Sequence, residues 1–138
     1  MSRQNINVMI IDSDENILAA LRGLLEAKGY TVLTYSDPEK AVEYLRNNTV
    51  HIAMIDSAAP DVEGMSVVGA VKEASTLTQI IISSSDTAPE RVIASLEGGA
   101  NDFILKPFEN LDHVAAIVEE SEKKLIRWQS VLKHLGAV

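Results

Sequence analysis

The sequence predicts a doubly wound α/β domain: a five-stranded parallel sheet with helices on both faces, followed by a helix that runs on past the domain. Three observations carry this expectation. Short apolar runs alternate five times with segments of helical period, the pattern of a chain built from βα units rather than of a sandwich or a bundle. Three of the runs are apolar on both faces, as a strand buried between two helical layers requires. The chain has 138 residues, 46% of them apolar, which suits one compact core of this kind.

The elements follow in order. The first strand is read at "NVMIID" (7–12) and a helix at 15–28, with Gly29 placed to end it. "TVLTY" (31–35) is the second strand, and Ser36-Asp37-Pro38 opens a helix over 38–47. "HIAMID" (51–56) leads to a helix at 65–74, and "QIIISS" (79–84) leads to one at 88–98 that Pro89 opens and Gly98-Gly99 closes. "NDFIL" (101–105) is the last strand, and a final helix opens near Asn110. Five such units adopt most simply the flavodoxin-like strand order 2-1-3-4-5. Its ligand site lies outside the carboxyl ends of the strands, between the first and third.

Charge narrows the partner. Twenty acidic against 12 basic side chains give a net charge of −8, which repels phosphate backbones and anionic bilayers. Direct nucleic-acid binding and membrane attachment are therefore not expected, and a protein or small-ion partner is. There is no cysteine, so neither a disulfide nor a thiolate metal site arises. No stretch has the length and apolarity of a signal peptide or a membrane span, and a cytoplasmic location is expected.

The residues that end strands form the candidate site. The first strand ends in Asp12, the third in Asp56 and the fourth in Ser84, while Lys106-Pro107 follows the fifth. Each alone has an ordinary explanation as a cap, a turn or a solvated charge. Together, two carboxylates, a hydroxyl and an ammonium on one rim suit phosphoryl transfer to a carboxylate. Asp56 would attack the donor, Mg2+ would neutralise crowded charge, and Lys106 and Ser84 would hold the phosphoryl oxygens. His51, His113 and His134 are too scattered for a metal cluster, and Ser83-Ser84-Ser85 lacks a nucleophile-elbow motif.

"MIDSAAPDVEGMSVV" and "IIISSSDTAPERVIASLEGGANDFILKPF" resemble the receiver domain of two-component response regulators over roughly residues 6–122. The resemblance implies a CheY-like fold and a signalling protein rather than an enzyme. Asp56 would be the phosphoacceptor, with Pro60 and Gly64 at matching spacing. Ser84 would be the switch hydroxyl, Ser85 the small residue after it and Phe103 the switch aromatic, and Lys106-Pro107 would be a cis peptide. A histidine kinase or phosphotransfer protein would supply the phosphoryl group, and a downstream protein would read it. Mg2+ would be held by Asp12, Asp56 and the Ala58 carbonyl. Receivers normally carry two adjacent acids after the first strand, and this chain has Asp12-Ser13. Ser13 then contributes weakly or through a water, and Asp14 points along the start of the helix.

Two other readings stay open. A pseudo-receiver would bind partners without phosphorylation, because Ser13 weakens the metal site. A haloacid-dehalogenase-type phosphatase would use "DSD", with Asp12 as nucleophile and Asp14 as general acid, but that leaves Asp56-x-x-x-Pro60 without a task and provides no substrate cap. No output domain is visible, and the chain divides into a receiver over 1–122 and an extension over 123–138. From Leu111, the positions Val114, Val118, Ser121, Leu125, Trp128, Leu132 and Leu135 form a heptad seam. Glu119–Lys123 and Glu120–Lys124 support the helix at i,i+4 spacing. The extension is read as a connector or a homodimer contact, with Trp128 as a packing anchor.

Overall fold

The computed structural model describes residues 2–137. A short 3-10 turn at Arg3–Asn5 precedes β1 (Asn7–Ile11), α1 (Glu15–Ala27), β2 (Thr31–Tyr35), α2 (Pro38–Leu45) and β3 (Ile52–Asp56). Then come α3 (Val67–Ala74), β4 (Gln79–Ser84), α4 (Pro89–Glu97), β5 (Asp102–Leu105) and α5 (Leu111–His134). The sheet is parallel throughout, with order β2-β1-β3-β4-β5, as the five βα units predict.

Burial follows strand position. All six residues of β4 are buried, as are four of five in β1 and β3, whereas β2 and β5, at the sheet edges, are buried only in part. Successive side chains of a strand serve opposite layers. Val8 and Ile10 pack with Leu18, Leu21, Val114 and Val118 of α1 and α5. Met9 and Ile11 pack with Ala41, Leu45, Val67 and Val71 of α2 and α3. Each large apolar side chain buried this way contributes about 1.5–3 kcal/mol.

Helix ends depart from the sequence reading by one or two residues, for local reasons. Helix α3 starts at Val67 because the chain before it makes a two-residue hairpin. Val62 and Met65 exchange backbone hydrogen bonds at 2.9 and 3.0 Å, with Glu63 and Gly64 both at positive φ (53° and 78°). Ser66 then caps the helix, accepting from the Gly69 N–H at 3.0 Å. Helix α4 lacks a side-chain cap of its own. Asp86, two residues upstream, accepts the Ala88 N–H at 3.0 Å and pairs with Arg91 at 2.6 Å, which holds its carboxyl below the usual carboxylate range.

Helix α5 is fastened by a contact across almost the whole chain. Arg3 reaches Glu119 at 3.1 Å and Glu122 at 3.1 Å, and its guanidinium lies 5.0 Å from the Tyr30 ring centroid. The Tyr30 hydroxyl donates to Glu122 at 2.7 Å, and burial, reinforced by that bond, raises the phenol's pKa. Glu119, expected to face Lys123, is therefore engaged by Arg3. The packed part of α5 extends through Leu125. Beyond it Trp128 is 49% and Leu135 71% exposed.

Candidate functional site

The carboxyl ends of β1, β3, β4 and β5 meet on one rim. Asp12 lies immediately past β1, its N–H still donating to Tyr35 O at 3.1 Å as the β1–β2 ladder runs out. Asp56 is the last residue of β3 and is paired in register with Ser83. The Lys106 N–H donates to Ser84 O at 2.8 Å, so β4 fixes the backbone of the lysine, and the Lys106–Pro107 peptide is cis.

Three side chains converge there. Lys106 Nζ donates to Asp12 Oδ2 at 2.5 Å and lies 3.5 Å from Asp56 Oδ1. Asp12 is 3% exposed and accepts the Asp14 N–H at 2.9 Å. Asp56 accepts the Ala58 N–H at 3.2 Å, which folds the following loop back over the carboxylate. Two carboxylates thus face one ammonium with all three side chains largely buried, where charge interactions are less screened than in bulk water.

The remaining candidates sit around this triad. Ser84 is buried, and its hydroxyl meets Ser57 rather than the lysine pair. Ser13 is exposed one step beyond Asp12. Asp14 caps α1, accepting from Asn16 and Ile17 N–H at 2.8 and 3.4 Å, which is a poor posture for the general acid of the phosphatase reading. Phe103 is partly buried against the α2–α3 layer of the core.

Among the described residues, no three His, Cys, Asp or Glu side chains gather as a metal cluster. The donors at the rim are Asp12 and Asp56, with the Ala58 carbonyl and the Ser13 hydroxyl nearby in sequence. These are all hard oxygens, and two carboxylates with retained waters are what a small divalent cation such as Mg2+ accepts. The residue set fits that ion.

The profile of the response regulator receiver domain family matches residues 8–119. This chain belongs to that family. Response regulator GtcR of Aneurinibacillus migulanus is 31% identical over 132 residues, covering 89% of this chain and 54% of GtcR. Transcriptional regulatory protein KdpE of Mycobacterium tuberculosis is 33% identical over 101 residues, covering 73% of this chain and 44% of KdpE. The receiver thus spans about half the length of these relatives. The BeF3-activated DrrB receiver domain superposes with a TM-score of 0.76 at 25% identity, covering 86% of this chain and 97% of that one.

Sequence reasoning missed two parts of the receiver. The Arg3–Glu122–Tyr30 contact joins residues 119 and 92 positions apart, beyond the reach of any periodicity. Ser57 drew no notice, although the register that pairs Asp56 with Ser83 sets Ser57 beside Ser84.

Proposed function

We propose that Asp56 accepts a phosphoryl group from a histidine kinase or a phosphotransfer protein, and that the modified receiver switches a protein-interaction surface. The observation that carries this reading is the convergence of Asp12, Asp56 and Lys106 at the carboxyl edge of the sheet. In the reaction a carboxylate oxygen of Asp56 bonds to phosphorus, the bond from phosphorus to the donor nitrogen breaks, and its electron pair returns to the imidazole. Lys106 is within reach of Asp56 and pairs with the new anion. Asp12, Asp56 and the Ala58 carbonyl would hold Mg2+, with Ser13 contributing through a water, and the ion would offset negative charge on the phosphoryl oxygens.

The switch has a plausible energy scale. Moving a two-state domain from mostly off to mostly on takes about 5.5 kcal/mol of differential binding. A phosphoryl group brings about −1.5 to −2 charges. Charge-assisted hydrogen bonds from Ser84 and Lys106 supply about 1.5–3 kcal/mol each. The surface that would respond is loosely covered. Helix α4 has no buried residue, and the large apolar side chains Ile93 and Leu96 of α4, Leu105 of β5 and Leu111 of α5 are exposed. A downstream protein is the expected reader. The extension over 123–138 is proposed to pair in parallel with a second copy through Trp128, Leu132 and Leu135.

A pseudo-receiver is the second reading, favoured by Ser13 and by Lys106 lying closer to Asp12 than to Asp56. Incubation with acetyl phosphate and Mg2+, followed by mass spectrometric mapping, separates the two. An adduct on Asp56 that is lost in Asp56→Asn supports phosphotransfer, and its absence supports the binding module.

A further inference from the structure

The oxygen of the Ser84 hydroxyl already accepts two hydrogen bonds in the resting fold. It is 1% exposed, accepts the Asp86 N–H at 2.9 Å and accepts the hydroxyl of Ser57 at 2.6 Å. Both lone pairs of the oxygen are thereby used. The backbone imposes the meeting. Strands β3 and β4 pair Asp56 with Ser83, and the Ser57 N–H donates to Ser83 O at 2.8 Å, which carries the ladder one step further. Residues opposite each other in register direct their side chains to the same face. Ser57 and Ser84 therefore face one another, and Asp56 is the neighbour that Ser84 does not face.

We propose that Ser57 is a positioning residue of the switch: its hydroxyl holds Ser84 in the resting rotamer, and phosphorylation acts by drawing Ser84 away from it. The proposal rests on the reading of Asp56 as phosphoacceptor. The exchange is feasible because the two bonds differ in strength. Ser57–Ser84 joins two neutral hydroxyls, whereas a bond from Ser84 to a phosphoryl oxygen is charge-assisted and about twice as strong. Ser57 thus sets a threshold that the modification overcomes. Losing one neutral hydrogen bond shifts a two-state balance roughly two- to tenfold, so the switch of a Ser57→Ala variant is expected to be that much easier to trip. Ser57 is exposed, so truncation there leaves the core intact.

The test uses the full chain with Ser57→Ala and the hydroxyl-retaining Ser57→Thr. Side-chain couplings of Ser84 measured by NMR without any phosphoryl donor report its rotamer. Titration with beryllofluoride and Mg2+, followed through the Asp86 amide, reports the activation midpoint. The expected result is a single Ser84 rotamer in wild type and Ser57→Thr and a mixture in Ser57→Ala, whose midpoint falls two- to tenfold. Unchanged Ser84 couplings in Ser57→Ala, an unchanged midpoint despite altered couplings, or a Ser57→Thr variant that behaves like Ser57→Ala would each overturn the proposal. Should wild type take no beryllofluoride at Asp56, the phosphoacceptor reading fails, while the couplings still decide whether Ser57 restrains Ser84.

Discussion

Replacing Ser13 with Asp is expected to tighten Mg2+ binding and to weaken the metal-free fold, two opposite consequences of one added charge. In the resting cleft Lys106 lies 2.5 Å from Asp12 and 3.5 Å from Asp56, so two carboxylates face one ammonium and one negative charge is left over. Two unit charges about 4 Å apart interact by about 1 kcal/mol in water and about 4 kcal/mol at an effective dielectric near 20, and a divalent ion doubles both figures. Ser13 is exposed, which places the added carboxylate toward the watery limit, and ordering and desolvating it subtract further. A net gain of about 1.5–3 kcal/mol remains, roughly a ten- to hundredfold lower Kd for Mg2+. Without metal, the same carboxylate repels Asp12 and Asp56 and is expected to cost about 0.5–1 kcal/mol of stability.

Calorimetric Mg2+ titration and thermal unfolding with and without Mg2+ measure the two effects, and Ser13→Asn separates charge from shape. Both effects should shrink with added salt. An unchanged Mg2+ affinity in Ser13→Asp would refute the reasoning. So would an equal gain in Ser13→Asn, because the cause would then be geometry rather than charge.

Glu122→Ala should cost about 2–3 kcal/mol in urea denaturation, because it leaves the buried Tyr30 hydroxyl without its acceptor and takes from Arg3 one of its two carboxylate partners; Glu122→Gln, which keeps an acceptor, should cost less. His51 Nδ1 accepts the Asn7 N–H at 2.9 Å, and burial lowers the imidazole pKa below 6.5. The unfolded chain therefore binds the proton more readily. Stability from His51 is full above pH 6.5 and is lost as pH falls from there through the lower folded-state value, and His51→Gln should flatten that part of the profile in thermal unfolding. Trp128→Glu places a charge on a side chain 49% exposed on the projecting part of α5. If a second copy covers it, sedimentation should show self-association at least tenfold weaker than wild type, and a monomeric wild type would remove the parallel pairing.

The fold was legible because its signals are local. Strands covered on both faces must be continuous apolar runs, and β1, β3 and β4 are such runs; β2 and β5 fall at the edges, and their partial burial agrees with that position. The rim was legible for the same reason. Asp12, Asp56 and Lys106 follow apolar runs directly, and parallel strands bring their carboxyl ends together whatever lies between. Element ends were less so. The start of α3 depends on a hairpin whose turn requires positive φ at Glu63 and Gly64, and Gly64 alone advertises that need.

What stayed hidden depends on register and on distant contacts rather than on composition. Ser57 is unremarkable in "IDSAAP" until β3 and β4 are aligned residue by residue, and a slip of one position would turn it to the other face. Arg3 likewise looks like a solvated terminal charge until α5 folds back across the sheet. Its pairing with Glu119 and Glu122 also bears on the heptad seam. The seam has two tasks, because Val114 to Leu125 are buried on the domain while Trp128 to Leu135 are left over. The clasp lies within the first stretch, one turn before its end at Leu125, and fastens it to the domain. If a second copy pairs through Trp128, Arg3→Ala, which removes that fastening without touching the assembling surface, should weaken the self-association read by sedimentation, and an unchanged association would separate the clasp from the seam.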